Sequence, residues 1–355
     1  MGHDTETRPK PRSLRVTSFD VAAEAGVSQS TVSRALAGDP VVSEATRQRV
    51  AEAARKLNYF VDENAARLRT GRTGTLAVVV ICRPGEDRKD LNPFHSALLA
   101  SLCGAASLRG YETLVSFQDG PENFNGRYEE QRKADGLAVI GTTENYSAWD
   151  YFRQLGQANH TGKSMHWVCW GAPFDDVEWI RSDNHGGARL ATRHLIEQGY
   201  RKIVCIGSVT SPQRQFLERY EGYAEEMREH GLEPALVQID KGLPREEQGR
   251  RAVQALIEAG TPFDALFAVC DPVALGALDA LHAHGLAVPG TVGLVGFDGI
   301  RAGAYSSPPL TSVEPDFRAA GEMMVDKLLA AIAGDPHEQR RVPVKLLVRE
   351  SSRRG

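Results

Sequence analysis

Apolar residues recur at helical spacing in two short segments near the N-terminus. Val21, Ala22 and Ala25 fall on one face of the first segment, and Val32 and Leu36 fall on one face of the second. Polar side chains occupy the opposite face of the second segment. The pattern predicts two short helices, each with a single apolar face.

Capping residues and a glycine mark the ends of these helices. Thr17, with Asp20 three residues later, can cap the first helix, and Ser28 can cap the second. Gly26 permits a tight turn between them, and a third helix is expected over residues 43–57. Together they predict a helix-turn-helix whose second helix suits base edges in the major groove. A small helical hairpin with no role in DNA binding is the alternative.

From Leu76 onward, short apolar runs alternate with helical patterns, and the second half of the chain repeats this scheme. Continuous apolar strands that alternate with helices predict parallel sheets covered on both faces. Two successive halves predict two lobes, with a small-ligand cleft between the carboxyl ends of their strands. The predicted fold class is α/β, with a three-helix head before a two-lobed body.

The chain therefore divides into four predicted regions. Residues 1–15 form a flexible basic tail, and residues 16–60 form the helix-turn-helix head. Residues 61–73 form a linker that is too short to hold a helix alone, so we expect it to fold on DNA or with a partner. Residues 74–355 form the two-lobed body that binds an effector and dimerises.

Charge is distributed unevenly between these regions. Residues 1–72 hold 12 Lys and Arg against 9 Asp and Glu, whereas the remaining residues hold 30 against 37. A basic head on an acidic body directs phosphate binding to the head.

Cysteine usage and hydropathy indicate the compartment. The 5 cysteines include no Cys-x-x-Cys pair and lie mostly in apolar runs, which predicts buried thiols in a cytoplasmic protein. No apolar run reaches the roughly 18 residues of a membrane span, and the N-terminus is polar, so neither a membrane partner nor a signal peptide is expected.

No metal or other cofactor is expected. His282 and His284 fall on roughly opposite faces of a predicted helix, so they cannot hold one metal ion. The stretch from Gly156 to Ser164 is similar to a phosphate-binding loop, but it leads into a strand instead of opening a helix.

Several short motifs are spread along both regions. In the head they are Val16-Thr17, Asp20-Val21-Ala22, Ala25-Gly26-Val27-Ser28, Thr31-Val32-Ser33-Arg34, Val42-Ser43, Thr46-Arg47 and Leu57-Asn58-Tyr59. In the body they are Asn92-Pro93-Phe94, Asp135-Gly136-Leu137, Asp183-Asn184, Arg219-Tyr220-Glu221-Gly222-Tyr223, Asp271-Pro272-Val273-Ala274-Leu275-Gly276, Val295-Gly296-Phe297-Asp298 and Pro308-Pro309-Leu310-Thr311. In this order they resemble the lac repressor family of bacterial transcription regulators over essentially the whole chain.

The resemblance implies a homodimer that binds a palindromic operator and has a body like the periplasmic binding proteins. It also implies a hinge helix in the linker that forms on the operator, with an apolar wedge that kinks the duplex. The implied DNA contacts are base reading by Gln29, Ser30 and Arg34, phosphate binding by Thr17, Ser28 and Thr31, and minor-groove insertion by Leu68 and Arg69.

The chain departs from the family pattern at several positions. Val61-Asp62 stands where Pro-Asn usually precedes the hinge helix, and Ala37 stands where an asparagine is common. Phe19 replaces a frequent tyrosine. Cys270 occupies the place of an asparagine in the ligand site, so the effector is expected to differ from the common hexoses.

Six residues are candidates for effector binding. Phe94 follows Asn-Pro at the mouth of the first lobe, and Trp170 ends an apolar strand. Asp271 and Asp298 each follow an apolar strand, where a carboxylate can accept hydrogen bonds from sugar hydroxyls. The resemblance adds Tyr223 as an aromatic that stacks on the ligand and Arg189 as an anchor for its polar groups. A core position for Phe94, an exposed helix position for Arg189 and a capping role for Asp298 are the alternatives.

These observations predict a DNA-binding transcription regulator. The favoured function is repression of carbohydrate-use genes, with release from a palindromic operator by a sugar-like effector. An activator or a corepressor-type regulator with a non-sugar effector is the alternative, and a solute-binding protein is a remote one. An enzyme with a DNA-binding appendage is a further alternative, but no catalytic constellation in the sequence supports it.

Overall fold

The computed structural model describes residues 16–60, 71–85, 87, 91–157, 165–211, 213–240, 242–335 and 338–354. The chain forms two compact units, Met1–Arg72 and Thr73–Gly355. The predicted hinge contacts Leu68 and Arg69 lie outside the described residues.

The first unit contains three helices, α1 (Ser18–Ala25), α2 (Gln29–Leu36) and α3 (Glu44–Lys56). At the start of α1 the Thr17 amide donates to Asp20 Oδ2 at 2.8 Å. At the start of α2, Ser28 Oγ accepts a hydrogen bond from the Thr31 amide at 3.2 Å. Gly26 adopts a left-handed conformation with φ 66°, which is the conformation that the turn requires of it. The predicted helix-turn-helix is confirmed.

The three helices share a small apolar core. Val21, Val32 and Val50, one from each helix, are fully buried. Val21 and Val32 lie on the apolar faces that helical spacing predicts for the first two helices.

The second unit begins with a six-stranded sheet. Its strands are β1 (Thr75–Ile81), β2 (Glu112–Gln118), β3 (Gly136–Gly141), β4 (Trp167–Trp170), β5 (Trp179–Ser182) and β11 (Arg340–Val342). The strand order is β11-β5-β4-β3-β1-β2, and all pairs are parallel. Helices α4 (Pro93–Leu108) and α11 (Phe317–Ala333) pack on one face, and α5 (Tyr146–Gln157) packs on the other. We call this sheet and its helices lobe 1.

A second six-stranded sheet forms lobe 2. Its strands are β6 (Ile203–Gly207), β7 (Ala235–Gln238), β8 (Ala265–Ala268), β9 (Gly293–Phe297), β10 (Thr311–Pro315) and β12 (Val344–Leu347), in the order β12-β10-β9-β8-β6-β7. Its helices are α6 (Asn184–Glu197), α7 (Arg214–Glu229), α8 (Arg245–Glu258), α9 (Asp271–Ala283) and the short α10 (Arg301–Ala304). A short 3₁₀ helix, Glu350–Ser352, follows β12. The β10–β12 pair is antiparallel, so this sheet is parallel in all but one pair.

Three short crossovers connect the lobes, at residues 183, 316 and 343. The Asp183 amide donates to the Val342 carbonyl at 2.9 Å, and the Asp316 amide donates to the Pro343 carbonyl at 3.0 Å. The crossovers therefore lie side by side, which is the arrangement of a hinge between two rigid lobes.

Candidate DNA-binding surface and effector cleft

The exposed face of α2 carries the predicted base-reading residues. Ser30 and Arg34 are exposed, and Gln29 is half-buried. The Gln29 amide donates to Ser18 Oγ at 3.2 Å, which ties this side chain to the preceding helix. The arrangement leaves Ser30 and Arg34 facing solvent on one side of a rigid short helix.

The predicted phosphate contacts lie at the helix starts. Ser28 Oγ contacts Thr31 Oγ1 at 2.8 Å and Ser30 Oγ at 2.9 Å. Thr17 Oγ1 donates to Asp20 Oδ2 at 2.7 Å. Helix N-termini attract phosphate through their free amides, and these hydroxyls lie at the N-termini of α1 and α2.

A deep cleft lies between the two lobes of the second unit. It is bounded by the carboxyl ends of β1, β3, β4 and β5 from lobe 1 and by residues that follow β8 and β9 from lobe 2. Including its mouth, which is open to solvent, the cleft holds about 820 Å³ of space outside the protein atoms. A cleft at the carboxyl ends of parallel strands is a typical position for a small-molecule site.

Two of the predicted aromatic residues lie in this cleft. Phe94 and Trp170 both line it, and their ring centroids are 5.9 Å apart. Phe94 is held by the start of α4, where Asn92 Oδ1 accepts from the Phe94 amide at 2.9 Å. The two rings form an apolar wall of the kind that packs against the C–H faces of sugars.

Asp298 also lines the cleft, where it pairs with Arg219. Asp298 Oδ1 lies 3.1 Å from Arg219 Nη2, and the Arg219 guanidinium stacks 3.6 Å above the Phe297 ring. Arg219 Nε donates to Asn184 Oδ1 at 3.0 Å. Burial raises the pKa of Asp298, and the Arg219 charge opposes that rise.

Asp271, a candidate for effector binding, does not line the cleft. Its side chain is fully buried, with Oδ1 accepting from Ser312 Oγ at 2.6 Å and Oδ2 accepting from the Ile300 amide at 2.8 Å. Asp271 therefore joins α9 to the loop after β9. Burial and the neighbouring Asp298 raise its pKa to about 8.

Tyr223 is likewise displaced from the cleft into the core of lobe 2. Its ring is fully buried, and its hydroxyl donates to the Ile203 carbonyl at 2.7 Å and accepts from the Ala235 amide at 2.9 Å. This candidate stacking residue therefore lies outside the cleft, and both its ring and its hydroxyl are used in packing α7 on the sheet.

Arg189 lies on α6 and is not among the residues that line the cleft. Its Nε donates to Glu226 Oε2 at 2.8 Å, and it also pairs with Glu225 and Glu229 of α7. Arg189, a candidate anchor for the ligand, therefore joins two helices in this structure.

Other cleft residues were missed by the sequence analysis. Among them are Thr143, Arg181, Gln213, Gln215 and Arg245. Thr143 follows β3 closely, and Gln213 follows β6 through a short loop. Asp298 was selected because it follows an apolar strand. The same criterion, applied to β3 and β6, indicates the segments that contain Thr143 and Gln213.

Ion pairs cross the cleft between the lobes. Glu144 of lobe 1 pairs with Arg245 of lobe 2 and with Arg83 of its own lobe. Glu218 of lobe 2 accepts from both terminal nitrogens of Arg341 in lobe 1, at 3.0 and 3.1 Å. Burial raises the pKa of Glu218, but Arg341 and Asn184 outweigh that effect and lower it. Glu218 is therefore ionised at neutral pH.

His95 lines the same cleft beside Arg83. Burial and the arginine charge lower its pKa to about 4, so its imidazole is neutral at pH 7. Within the described ranges, no group of three or more His, Cys, Asp or Glu side chains is placed to hold a metal ion. No helix in the described part of the chain is long and apolar enough to cross a membrane.

A helix-turn-helix unit followed by a two-lobed unit with a ligand-sized cleft defines the class of ligand-responsive DNA-binding regulators. The family model for bacterial regulatory proteins of the lacI family matches residues 19–62, and the periplasmic binding protein-like domain matches residues 192–352. The chain is 32% identical to the HTH-type transcriptional regulator CelR of Thermobifida fusca, covering 96% of this chain and 99% of that protein. The chain belongs to the lacI family.

Two further relatives extend the comparison. The ribose operon repressor of Escherichia coli strain K12 is 30% identical over 94% of this chain and 98% of its own length. The solved structure of a transcriptional regulator CelR–cellobiose complex has a TM-score of 0.65 and 29% identity, covering 95% of this chain and 100% of that one. The family predicted from the sequence motifs is confirmed.

Proposed function

We propose that the protein is a homodimeric repressor of carbohydrate-use genes in the cytoplasm, released from a palindromic operator by a saccharide effector. The observation that carries the proposal is the pairing of a helix-turn-helix with an exposed polar α2 face and a body with an aromatic-walled cleft. The relatives named above add support, because one is a ribose operon repressor and another is solved with cellobiose.

Each part of the chain has a role in this proposal. Gln29, Ser30 and Arg34 read bases, and Thr17, Ser28 and Thr31 bind phosphates. Leu68 and Arg69 insert into the minor groove. In the cleft, Phe94 and Trp170 pack against the effector, and Asp298 accepts hydrogen bonds from its hydroxyls.

Binding of the effector in the cleft is thermodynamically coupled to binding of the operator by the helix-turn-helix. A saccharide that prefers the free protein over the operator-bound protein lowers operator affinity by the ratio of its two binding constants. A coupling of about 1–3 kcal/mol corresponds to a 5- to 150-fold change. The protein binds the saccharide without converting it.

Selection from a random duplex library tests the function. The full chain should enrich a symmetric site with two half-sites, as a dimeric helix-turn-helix protein requires. Recovery of no symmetric site would contradict the proposal. If a saccharide strengthens binding to the recovered site, the protein is instead a regulator of the corepressor type.

A further inference from the structure

Four buried side-chain atoms in the described part of the chain have no hydrogen-bond partner, and all four belong to residues that line the cleft. They are Thr143 Oγ1, Arg181 Nε, Gln213 Oε1 and Gln215 Oε1. Unpaired buried polar atoms destabilise a folded protein, and native structures contain few of them. Their concentration in one cavity leaves them available to hydrogen-bond a molecule bound in the cleft.

The four atoms are divided between the two walls of the cleft. Thr143 and Arg181 belong to lobe 1, whereas Gln213 and Gln215 belong to lobe 2 at the start of α7. Gln213 occupies the N-cap position of α7, but its side chain makes no capping bond. It is only 4% exposed, so its amide is withdrawn from bulk water and lines the cleft.

The cationic residues of the cleft already have anionic partners. Arg219 pairs with Asp298, and Arg245 pairs with Glu144. Arg181 pairs with Asp175 at 2.9 Å through Nη1, which leaves its Nε facing no partner. Arg83 also pairs with Glu144. Each of these four arginines therefore has an anionic partner, with Glu144 shared between Arg83 and Arg245.

The chemistry of the unpaired atoms favours hydroxyl groups. The two glutamine oxygens of lobe 2 are acceptors and require a donor, whereas Arg181 Nε of lobe 1 is a donor and requires an acceptor. A hydroxyl group can serve both walls, because it donates one hydrogen bond and accepts others. A carboxylate or a dianionic phosphate only accepts, so it could pair with these glutamines only after both amides rotate to present Nε2 in place of Oε1.

We propose that the cleft binds an uncharged saccharide whose hydroxyls bridge the two lobes, and that Gln213 and Gln215 determine specificity by excluding anionic derivatives. This inference rests on the proposed function, because it takes the cleft to be the effector site. The ligand donates to the glutamines of lobe 2 and accepts from Thr143 and Arg181 of lobe 1.

Calorimetric titration of the full chain with matched saccharide pairs tests the charge preference. Each pair consists of a neutral mono- or disaccharide and its acidic derivative: ribose with ribose 5-phosphate, glucose with gluconate, and cellobiose with cellobionate. We expect a neutral member to bind about tenfold or more tightly than its acidic partner. Equal or tighter binding of the acidic partner, or a panel in which no neutral member binds, would overturn the inference.

Variants of Gln213 test the residue assignment. Gln213→Met keeps the side-chain length and removes the acceptor. It should lower the affinity for the neutral saccharide about tenfold or more without lowering the Tm of the free protein. Gln213→Glu keeps acceptor oxygens, so it should retain the affinity for the neutral saccharide. It should lower the affinity for the acidic derivative further, because it adds a negative charge. Unchanged affinity in Gln213→Met, or loss of the neutral saccharide in Gln213→Glu, would contradict the assignment.

Gln118 provides the matched control. It is buried in lobe 1, and its amide is fully used, because Nε2 donates to the Asn125 carbonyl at 2.9 Å and Oε1 accepts from the Asn125 amide at 2.9 Å. Gln118→Met should therefore lower the Tm and leave saccharide affinity unchanged, which is the reverse of the result expected for Gln213→Met.

Operator binding separates this inference from the proposed function. Gln213→Met should bind the selected duplex as the unmodified chain does in the absence of saccharide. A chain that selects no duplex refutes the proposed function whatever the calorimetry shows. A chain that selects a duplex but prefers the acidic saccharides refutes only the inference.

Discussion

Asp271 and Asp298 show how similar sequence positions acquire different roles. Each follows an apolar strand, but only Asp298 lines the cleft, where Arg219 pairs with it. Asp271 is turned back into the protein and is held by Ser312 and the Ile300 amide. A position directly after a predicted strand places a residue at the edge of the sheet, but it does not give the direction in which the side chain points.

The buried Asp271 should make stability depend on pH. Its pKa is raised from 3.8 to about 8 in the folded protein, so the folded state holds a proton that the unfolded state releases above pH 4. The stabilisation is fully present below pH 4 and is lost as the pH rises toward 8. Asp271→Asn, which cannot ionise, should show a smaller fall in the free energy of unfolding between pH 5 and pH 8. Urea unfolding at both pH values measures this, and an equal fall in the two proteins would contradict the assigned protonation state.

Arg34 is the exposed cation at the end of α2, and it makes the most specific prediction about the head. Arg34→Ala should weaken operator binding by about 1–3 kcal/mol and relax base preference in each half-site. Arg49→Ala, which changes another exposed arginine on α3, is the control and should leave base preference intact. Binding to a randomised half-site library distinguishes the two, and identical preference in both variants would argue against base reading by Arg34.

Helix periodicity could have placed Tyr223 correctly. Phe216, Tyr223 and Met227 recur on one face of α7, and all three are buried. The family position suggested a stacking residue, but the local apolar pattern already indicated a core residue. Arg189 differs, because its neutralisation by Glu225, Glu226 and Glu229 depends on how α6 packs against α7, and periodicity in one helix does not show this.

At the scale of elements, close helix packing explains two glycines. A Cβ at Gly276 of α9 would lie 1.8 Å from the Glu246 carbonyl, and one at Gly249 of α8 would lie 2.0 Å from the Val273 carbonyl. Both obstacles are backbone atoms, so they cannot move aside as a flexible side chain can. The glycine of the sequence motif 271–276 is therefore required by the contact between α8 and α9.

A pair of glycine substitutions tests this packing. Gly276→Ala should lower the free energy of unfolding by about 1–3 kcal/mol or more, because the two helices must separate. Gly104→Ala in α4 meets no atom within 4 Å and should raise the free energy of unfolding by about 0.5–1 kcal/mol. Chemical denaturation measures both, and similar stability in the two variants would contradict the close helix contact.

The sequence predicted most elements, because buried strands and amphipathic helices have clear periods. Strand β1 is buried from Leu76 to Ile81, which is typical of a parallel strand covered on both faces. A strand is expected at residues 342–348, where β12 (Val344–Leu347) lies, but its antiparallel direction was not predicted, because that direction depends on the crossover at Pro343. Such long-range pairing is not determined by local pattern.

At the scale of the whole molecule, ion pairs across the cleft join the two lobes of the body. Glu144→Gln should remove the attraction between Glu144 of lobe 1 and Arg245 of lobe 2 and favour a more open cleft. Hydrogen exchange should then increase at residues 141–145 and 213–216, while the buried β6 stays protected. Glu130→Gln removes an ion pair with Arg127 within lobe 1 and should change neither segment. Equal exchange in the two variants would mean that the Glu144 pair does not hold the cleft.

The central claim is that ligand in the cleft controls DNA binding by the helix-turn-helix. Its most direct test is the affinity of the full chain for its selected symmetric duplex, measured by fluorescence anisotropy with and without a saturating saccharide that binds by calorimetry. The account predicts a 5- to 150-fold loss of duplex affinity, and no such loss in Asp298→Asn at the same saccharide concentration. Duplex affinity that does not change when the saccharide is bound would contradict it.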